Sequence, residues 1–467
     1  MAASAASAHA HAARHPASFR DPAGFVFVRD GTLFREVTAE GAADYDRLMG
    51  SGLYRVLVER GLLVPHEEDA DAQGAGPNPP HRVLRPRLVP FLSWPYEWSF
   101  GMLQAAALAT LEVQRLALDR GMTLKDASAY NVQFLDGRPT LVDTTSFDIL
   151  REGEPWVAYR QFCQHFLAPL ALMSYVDARM GQLLRVHLDG VPLDLAARLL
   201  PRRARWRPAL ALHLVAHARH QARHEGSARR ATGRVSRNAR LGLLDSLTGA
   251  VRALRWEPEG TTWADYGTRT SYDEVGEAHK RETVAAFLDE VRPASVWDLG
   301  ANAGWYSRLA AERGALVVAP DMDPAAVERN WRSCQRDDER RVLPLLVDLA
   351  NPSPDQGWAG EERASFLARG PADCAFALAL VHHLAIGNNV PLPRVADFLA
   401  RCGRGVVVEW VPKEDPQVAR MLASRRDVFP DYTAVAFEAA LAERFDVRRR
   451  VPLRGSTRVL YLCERRE

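Results

Sequence analysis

The sequence predicts an α/β protein in two parts. A doubly wound, mostly parallel sheet ends in an antiparallel C-terminal hairpin, and an α+β region precedes it. Three observations lead there. From Trp263 onward, short and nearly continuous apolar runs alternate with helical patterns, as in a parallel sheet covered on both faces. The stretch VWDLGANAG, residues 296–304, ends one such run in an aspartate and follows it with two glycines. Upstream, Asp126, Asn131 and Asp143 surround a strand–turn–strand pattern, VQFLDGRPTLVD.

Composition bounds the possibilities. A chain of 467 residues holds two or three domains with sizeable cores. The net charge of +2 gives no global field that argues for nucleic acid. Cys163, Cys334, Cys374, Cys402 and Cys463 are scattered and form no C-x-x-C pair. That pattern speaks for a reducing compartment and against a disulfide framework or a zinc cluster. The opening MAASAASAHAHAARH lacks the apolar core of a signal peptide. No run of about eighteen apolar residues occurs, so no membrane span is expected. A cytoplasmic protein without a metal site is the expectation.

The elements follow in order. Residues 1–18 are expected to be a disordered tail. Region 19–201 begins with the strand pattern GFVFVRDGTLFREV, and EEDADAQGAGPNPP, residues 67–80, reads as a surface loop. A helical stretch, MLQAAALATLEVQRLALDRG, precedes Asp126. Residues 202–262 form an Arg- and His-rich helical connector. In 263–467, ASVWDL, ALVVAP, RVLPLLVD, DCAFALALV and GVVVEWV read as five strands. The helix WYSRLAAERG stops at Gly314. FDVRRRVPL and TRVLYLCE close the chain as an edge hairpin.

Ligands of such a sheet bind outside the carboxyl ends of the strands. Asp298 ends the first strand there. Gly300 permits the sharp turn, and Gly304 lets the loop approach a ligand without side-chain interference. Asp323 precedes Pro324 and suits a helix N-cap. Asp321, at the second strand tip, is then the ribose ligand. Asp348 ends the third strand, where it accepts from an adenine amine or caps a turn. His382 and His383 follow the fourth strand, and at most one is expected to face a pocket; each is a catalytic candidate or a structural histidine. Asn388 and Asn389 orient a polar acceptor or form a turn. Glu409 ends the fifth strand as an acceptor-site residue or as a salt bridge to Lys413. Trp305 covers a ligand or packs in the core.

The loop DLGANAG, the segment DCAFALALVHHL and the final strand pair together resemble the class I S-adenosylmethionine-dependent methyltransferases over residues 263–467. HHLAIGNNVPL, EWVPKEDPQVARML and FPDYT are similar to a bacterial subgroup of nodulation-related, host-specificity methyltransferases. The resemblance implies a Rossmann-like fold and S-adenosyl-L-methionine as cofactor. It implies cofactor contacts from Asp298, Gly300, Asn302, Gly304, Asp321 and Asp348. The acceptor is expected to be a small molecule, with Glu409, His382 and His383 as catalytic candidates. A methyl group on sulfonium is already activated, so alignment and water exclusion are the protein's main tasks.

The spacing Asp126–Asn131–Asp143 resembles the catalytic loop of protein kinases and aminoglycoside phosphotransferases. There the first Asp accepts the substrate proton, and the Asn and second Asp hold magnesium. Arg35 stands where that family has a strand lysine. Departures are Lys125 before Asp126, Thr-Thr after Asp143, and the lack of a glycine-rich phosphate loop. A kinase-like domain, with a phosphotransferase or a non-catalytic scaffold as the alternative function, follows for 19–201. In the connector, His213, His217, His220 and His224 share a helical face. That face serves as a solvated linker, contacts an anionic partner, or chelates a metal, a role that Arg219 and Arg223 oppose.

Overall fold

The computed structural model describes residues 13–217, 234–258, 274–423 and 426–466. Two compact units emerge. One comprises Met1–Pro90, Met102–Arg255 and Asp355–Arg363; the other comprises Phe91–Gly101, Trp256–Pro354 and Ala364–Glu467. This division differs from the expected boundaries at 201 and 262. Residues 91–101 join the second unit because Glu97, fully buried, pairs with Arg369 at 2.5 Å, and Gly101 N donates to Glu328 Oε2. The helix Arg237–Ala253 joins the first unit, where Gln104 Nε2 donates to the carbonyls of Val251 and Leu254.

In the first unit, β1 (Ala13–Arg14), β2 (Gly24–Arg29), β3 (Thr32–Val37), β4 (His66–Glu68) and β5 (Arg82–Pro86) form an antiparallel sheet in the order β1-β2-β3-β5-β4. Residues 13 and 14 depart from the disordered tail expected through residue 18, since Ala13 and Arg14 pair with Val28 and Phe27. The 67–80 segment also departs from a plain surface loop. Glu36 is 2% exposed and accepts from the backbone N–H groups of Ala75 and Gly76 at 2.7 and 3.1 Å. Ala72 and Ala75 pack on Phe25, Phe27, Phe34 and Val83. A buried carboxylate needs such donors, and the loop supplies them. Beyond helix α1 (Phe100–Leu118), β6 (Met122–Leu124) pairs with β9 (Phe147–Ile149), and β7 (Val132–Leu135) pairs with β8 (Arg138–Leu141).

The second unit is a seven-stranded sheet. Its strands are β10 (Ser295–Asp298), β11 (Leu316–Asp321), β12 (Val342–Leu346), β13 (Ala372–Ala377), β14 (Gly403–Trp410), β15 (Phe445–Pro452) and β16 (Val459–Arg465). The order is β12-β11-β10-β13-β14-β16-β15, parallel except for β16, which runs antiparallel between β14 and β15. The direction of winding reverses between β10 and β13, so a crevice is expected at their carboxyl ends. Helix α2 (Glu274–Val291) and helix α3 (Trp305–Ala311) cover one face. Val284 and Phe287 there meet Val296, Phe376 and Val407 of the sheet. Burying each such side chain contributes roughly 1.5–3 kcal/mol. Helix α4 (Pro324–Arg336) follows β11, helix α5 (Leu392–Cys402) precedes β14, and helix α6 (Ala434–Ala442) precedes β15.

The fourth strand is shorter than DCAFALALV suggests. It ends at Ala377, and Ala379 adopts a left-handed φ of 50°. His382 and His383 consequently lie in a helical turn. Among the described residues, no helix is long and apolar enough to cross a membrane.

Candidate active site

The glycine loop begins where β10 ends. Gly300 N and Ala301 N both donate to Pro320 O, at 2.9 and 3.1 Å, which ties the bend to the tip of β11. Gly300, Asn302 and Gly304 have φ of 75°, 50° and 79°, in the left-handed region that favours glycine and asparagine. The two glycines are nevertheless there for different reasons. A Cβ on Gly300 would meet only Leu380 Cδ1, at 3.4 Å, so its outer side is open. A Cβ on Gly304 would come within 2.4 Å of Asn330 Oδ1. The expectation for Gly304 is thus corrected: its missing side chain makes room for α4, not for a ligand.

Asp321 sits beside this bend. Its Oδ2 accepts from Asn302 N at 2.8 Å, and its Oδ1 accepts from Asp323 N at 2.9 Å. Burial pushes its carboxyl up to about 6, against the pull of those N–H groups. Asp323 accepts from Ala325 N and caps α4. Asp298 is 3% exposed and accepts from Ser307 Oγ at 2.6 Å. Burial, and then the nearby Asp321 charge, push it up to about 6 as well. Asp348 is exposed, and its Oδ1 accepts from Ala350 N in a turn. Trp305, directly after Gly304, is 70% exposed, which rules out the core-packing reading for it. Met322, next to Asp321, is 60% exposed.

At the tips of β13 and β14 the geometry changes the expected roles. Glu409 is fully buried. Its Oε2 lies 2.8 Å from Lys280 Nζ and accepts from Ala379 N at 2.9 Å; its Oε1 lies 3.1 Å from Arg458 Nη1. Arg458 in turn pairs with buried Asp415 at 2.7 Å. Two acids and two bases therefore balance in a dry site, as buried charges must. Lys413, the expected partner of Glu409, pairs with Asp427 instead. Glu409 is corrected from an acceptor-facing carboxylate to a tie between α2, the β13 tip and β16.

His382 is fully buried, and neither ring nitrogen finds a hydrogen-bond partner among the described residues. Burial, and then His383 and Arg458, hold its imidazole well below its ordinary value. Burial likewise lowers His383 to about 4. The two rings lie 4.0 Å apart, so they do not point to opposite sides. Asn388 Nδ2 donates to His383 O, and Asn389 has a φ of 56°, which fits the turn reading of that pair. Lys280, Ser307, Ala379 and Arg458 were not picked out from sequence. Lys280 carried a signal: it lies four residues before Val284 and seven before Phe287, on the apolar face of α2.

The first unit has its own cluster. Arg35 Nη1 lies 2.5 Å from Asp143 Oδ1. The same carboxylate accepts from Thr145 N, Thr145 Oγ1 and Ser146 Oγ. Burial opposes its charge, but Arg35 and the hydroxyls outweigh burial and hold it below the usual carboxylate range. Asp126 Oδ1 accepts from Ser128 N and Gln161 Nε2, and burial raises its carboxyl. Asn131 Nδ2 donates to Ser146 Oγ. In the connector, His213 is fully buried between Tyr159 OH and Ser246 Oγ, both at 2.8 Å. His217 stacks on Tyr159. His213 is thus a core histidine and not part of a solvated face. His220, His224, Arg219 and Arg223 lie outside the described residues. Among the described residues, no group of three or more His, Cys, Asp or Glu side chains is placed to hold a metal ion.

Comparison with known proteins places the chain. No family model matches it. The nodulation protein NoeA of Rhizobium meliloti (strain 1021) is 36% identical over 463 residues, which cover 96% of each chain. The chain belongs to the NoeA family. Solved structures similar to this NoeA-family chain include N-methyltransferase NodS from Bradyrhizobium japonicum WM9 in complex with S-adenosyl-L-homocysteine. It is 13% identical with a TM-score of 0.32, covering 44% of this chain and 100% of NodS. WbdD, a bifunctional kinase-methyltransferase, is 16% identical with a TM-score of 0.32. The match covers 43% of this chain and 42% of WbdD, so the chain spans less than half of WbdD's length.

Proposed function

We propose that this chain is an S-adenosylmethionine-dependent methyltransferase with a small-molecule acceptor. The observation that carries the reading is the open outer side of Gly300 beside the Asp321 carboxylate. The residues present fit the cofactor. The Asp321 oxygens accept from the backbone N–H groups of Asn302 and Asp323, with that of Met322 also acting on the carboxylate, which still leaves acceptor capacity for a ribose hydroxyl. Asp348 keeps one oxygen without a partner among the described residues, available to an adenine amine. Trp305 and Met322 offer exposed apolar surface at the same mouth. Asp298 works from behind, anchoring the start of α3 through Ser307.

The bound cofactor supplies an activated methyl group. The protein's part is to orient the acceptor and exclude water. Glu409 does this indirectly, by holding Ala379 in its left-handed conformation. His382 and His383 are neutral near pH 7, so they place no positive charge near a sulfonium. Their low basicity suits hydrogen-bond acceptance from an acceptor better than full proton removal. All five cysteines are free and buried, in keeping with a reducing cytoplasm. Membership of the NoeA family points to a nodulation-related role.

For the first unit we propose a kinase-like fold, supported by the pairings β6–β9 and β7–β8 around Asp126, Asn131 and Asp143. Phosphotransfer is not the favoured reading. Asp143 is already neutralised by the Arg35 guanidinium and accepts from Thr145 and Ser146, so a fixed cation stands where a magnesium ion would need the carboxylate and the residues as arranged do not fit that ion. Calorimetry with S-adenosylmethionine and, separately, with Mg-ATP tests the assignment. Binding of the first alone is expected; binding of Mg-ATP alone, or of neither, would overturn it.

A further inference from the structure

The amino end of β14 lies at the other end of the sheet from Glu409. There, a cavity of about 680 Å³ is lined by five arginines, Arg394, Arg401, Arg444, Arg465 and Arg466. Small-molecule sites commonly fall in a range of roughly 300–1,000 Å³. Asp397 and Glu443 in the lining, and Asp446 paired with Arg466 just outside it, oppose these charges, which leaves two positive charges uncompensated. The guanidiniums are not equivalent. Arg444 pairs with Asp397 at 2.5 Å, Arg466 pairs with Asp446 at 2.9 Å, and Arg465 donates to Ala400 O at 2.9 Å. Those three are held in place by protein atoms. Arg394 and Arg401 have no partner among the described residues. They lie seven positions apart on α5, with Phe398 between them in the cavity wall, and so share one helix face.

Like charges gathered in one concavity repel one another unless an anion joins them. Guanidinium forks match phosphate oxygens in pairs. Two uncommitted forks beside three anchored ones suit a ligand with two linked anionic groups better than a single one. We propose that this cavity is a binding site for a small diphosphate-bearing molecule, separate from the methyl-transfer site. The inference does not depend on the methyltransferase reading, because it uses neither the glycine loop nor Asp321.

The test is calorimetry of the full chain with inorganic pyrophosphate, using orthophosphate as the single-group comparison. Pyrophosphate is expected to bind roughly tenfold or more tightly than orthophosphate, and Arg394→Gln/Arg401→Gln is expected to weaken it by a similar factor. Both positions are exposed, and an unchanged thermal unfolding midpoint would report that the variant folds. Arg394→Lys/Arg401→Lys keeps the charge but removes the forks, and is expected to fall between the two. No pyrophosphate binding, equal affinity for the two anions, or undiminished affinity in the glutamine variant would each overturn the site.

Discussion

Asp143 in the first unit follows a strand pair, Asp321 in the second ends a strand, and both accept from neighbouring backbone N–H groups. Their electrostatic settings are opposite. Asp143 has a guanidinium at 2.5 Å and three further donors on one carboxylate, and it is held below the usual range. Asp321 has backbone N–H groups and an acidic neighbour, Asp323, and is pushed up to about 6. A carboxylate matched by a fixed cation is finished as a structural element. One that burial has destabilised, with no fixed cation beside it, is poised for an outside partner. Similar sequence signals, an aspartate after an apolar run, thus end in different roles.

The largest way to strain this contrast is at Glu409, where the charge pairing resembles that of Asp143 but lies inside the second unit. Glu409→Ala strands Lys280 and Arg458 without their shared acid, and is expected to cost ~3–5 kcal/mol of stability by denaturant unfolding. A loss well under that would mean the buried network is not what holds the β13 tip. Next comes Asp298. Its folded pKa lies above the ordinary 3.8, so its charge opposes folding. The penalty is absent below the unfolded pKa, grows as pH rises between about 4 and 6, and is complete above that. A shift of that size corresponds to about 3 kcal/mol as an upper bound. Asp298→Asn should therefore be the more stable protein at pH 8 in thermal unfolding, with the gap closing toward pH 4.

Asp321→Ala should weaken S-adenosylmethionine binding by about 1–3 kcal/mol, whereas Asp143→Ala should leave that affinity unchanged. Equal losses in calorimetry would erase the distinction between the two aspartates. The pH dependence sharpens it. Cofactor affinity should fall as pH drops through about 6, where Asp321 takes up a proton. The stability that Asp143 confers is present above its unfolded pKa, and is lost only as pH falls through its lowered folded value. The smallest expected effect is in the glycine pair. Each Ala substitution meets a left-handed φ costing roughly 1 kcal/mol. Gly304→Ala adds the clash with Asn330 and should lose stability. Gly300→Ala should show its effect chiefly in cofactor affinity.

Much of the second unit was legible because its signals are local. Apolar runs mark β10, β11 and β14, Asp323-Pro324 marks the start of α4, and the DLGANAG loop marks the bend. The β13 end was not legible. LALV is as apolar as a strand, yet Ala379 turns left-handed because Glu409, thirty residues on, captures its N–H. The first unit was harder throughout. Its strands are short, and the 67–80 segment looks like a solvated loop until Glu36 is seen buried beneath it. His213 looked like one member of a histidine face, and only packing shows it held between Tyr159 and Ser246.

By itself the sequence determined which residues turn, cap and alternate, and hence the parallel sheet, the glycine bend and the acid beside it, because backbone sterics and hydrophobic periodicity act within a few residues. The tertiary structure alone decided which charges meet. It joined Glu409 to Lys280 and Arg458, Asp143 to Arg35, and gathered five arginines around one cavity, because Coulomb pairing in a buried site depends on distance in space and not on distance along the chain.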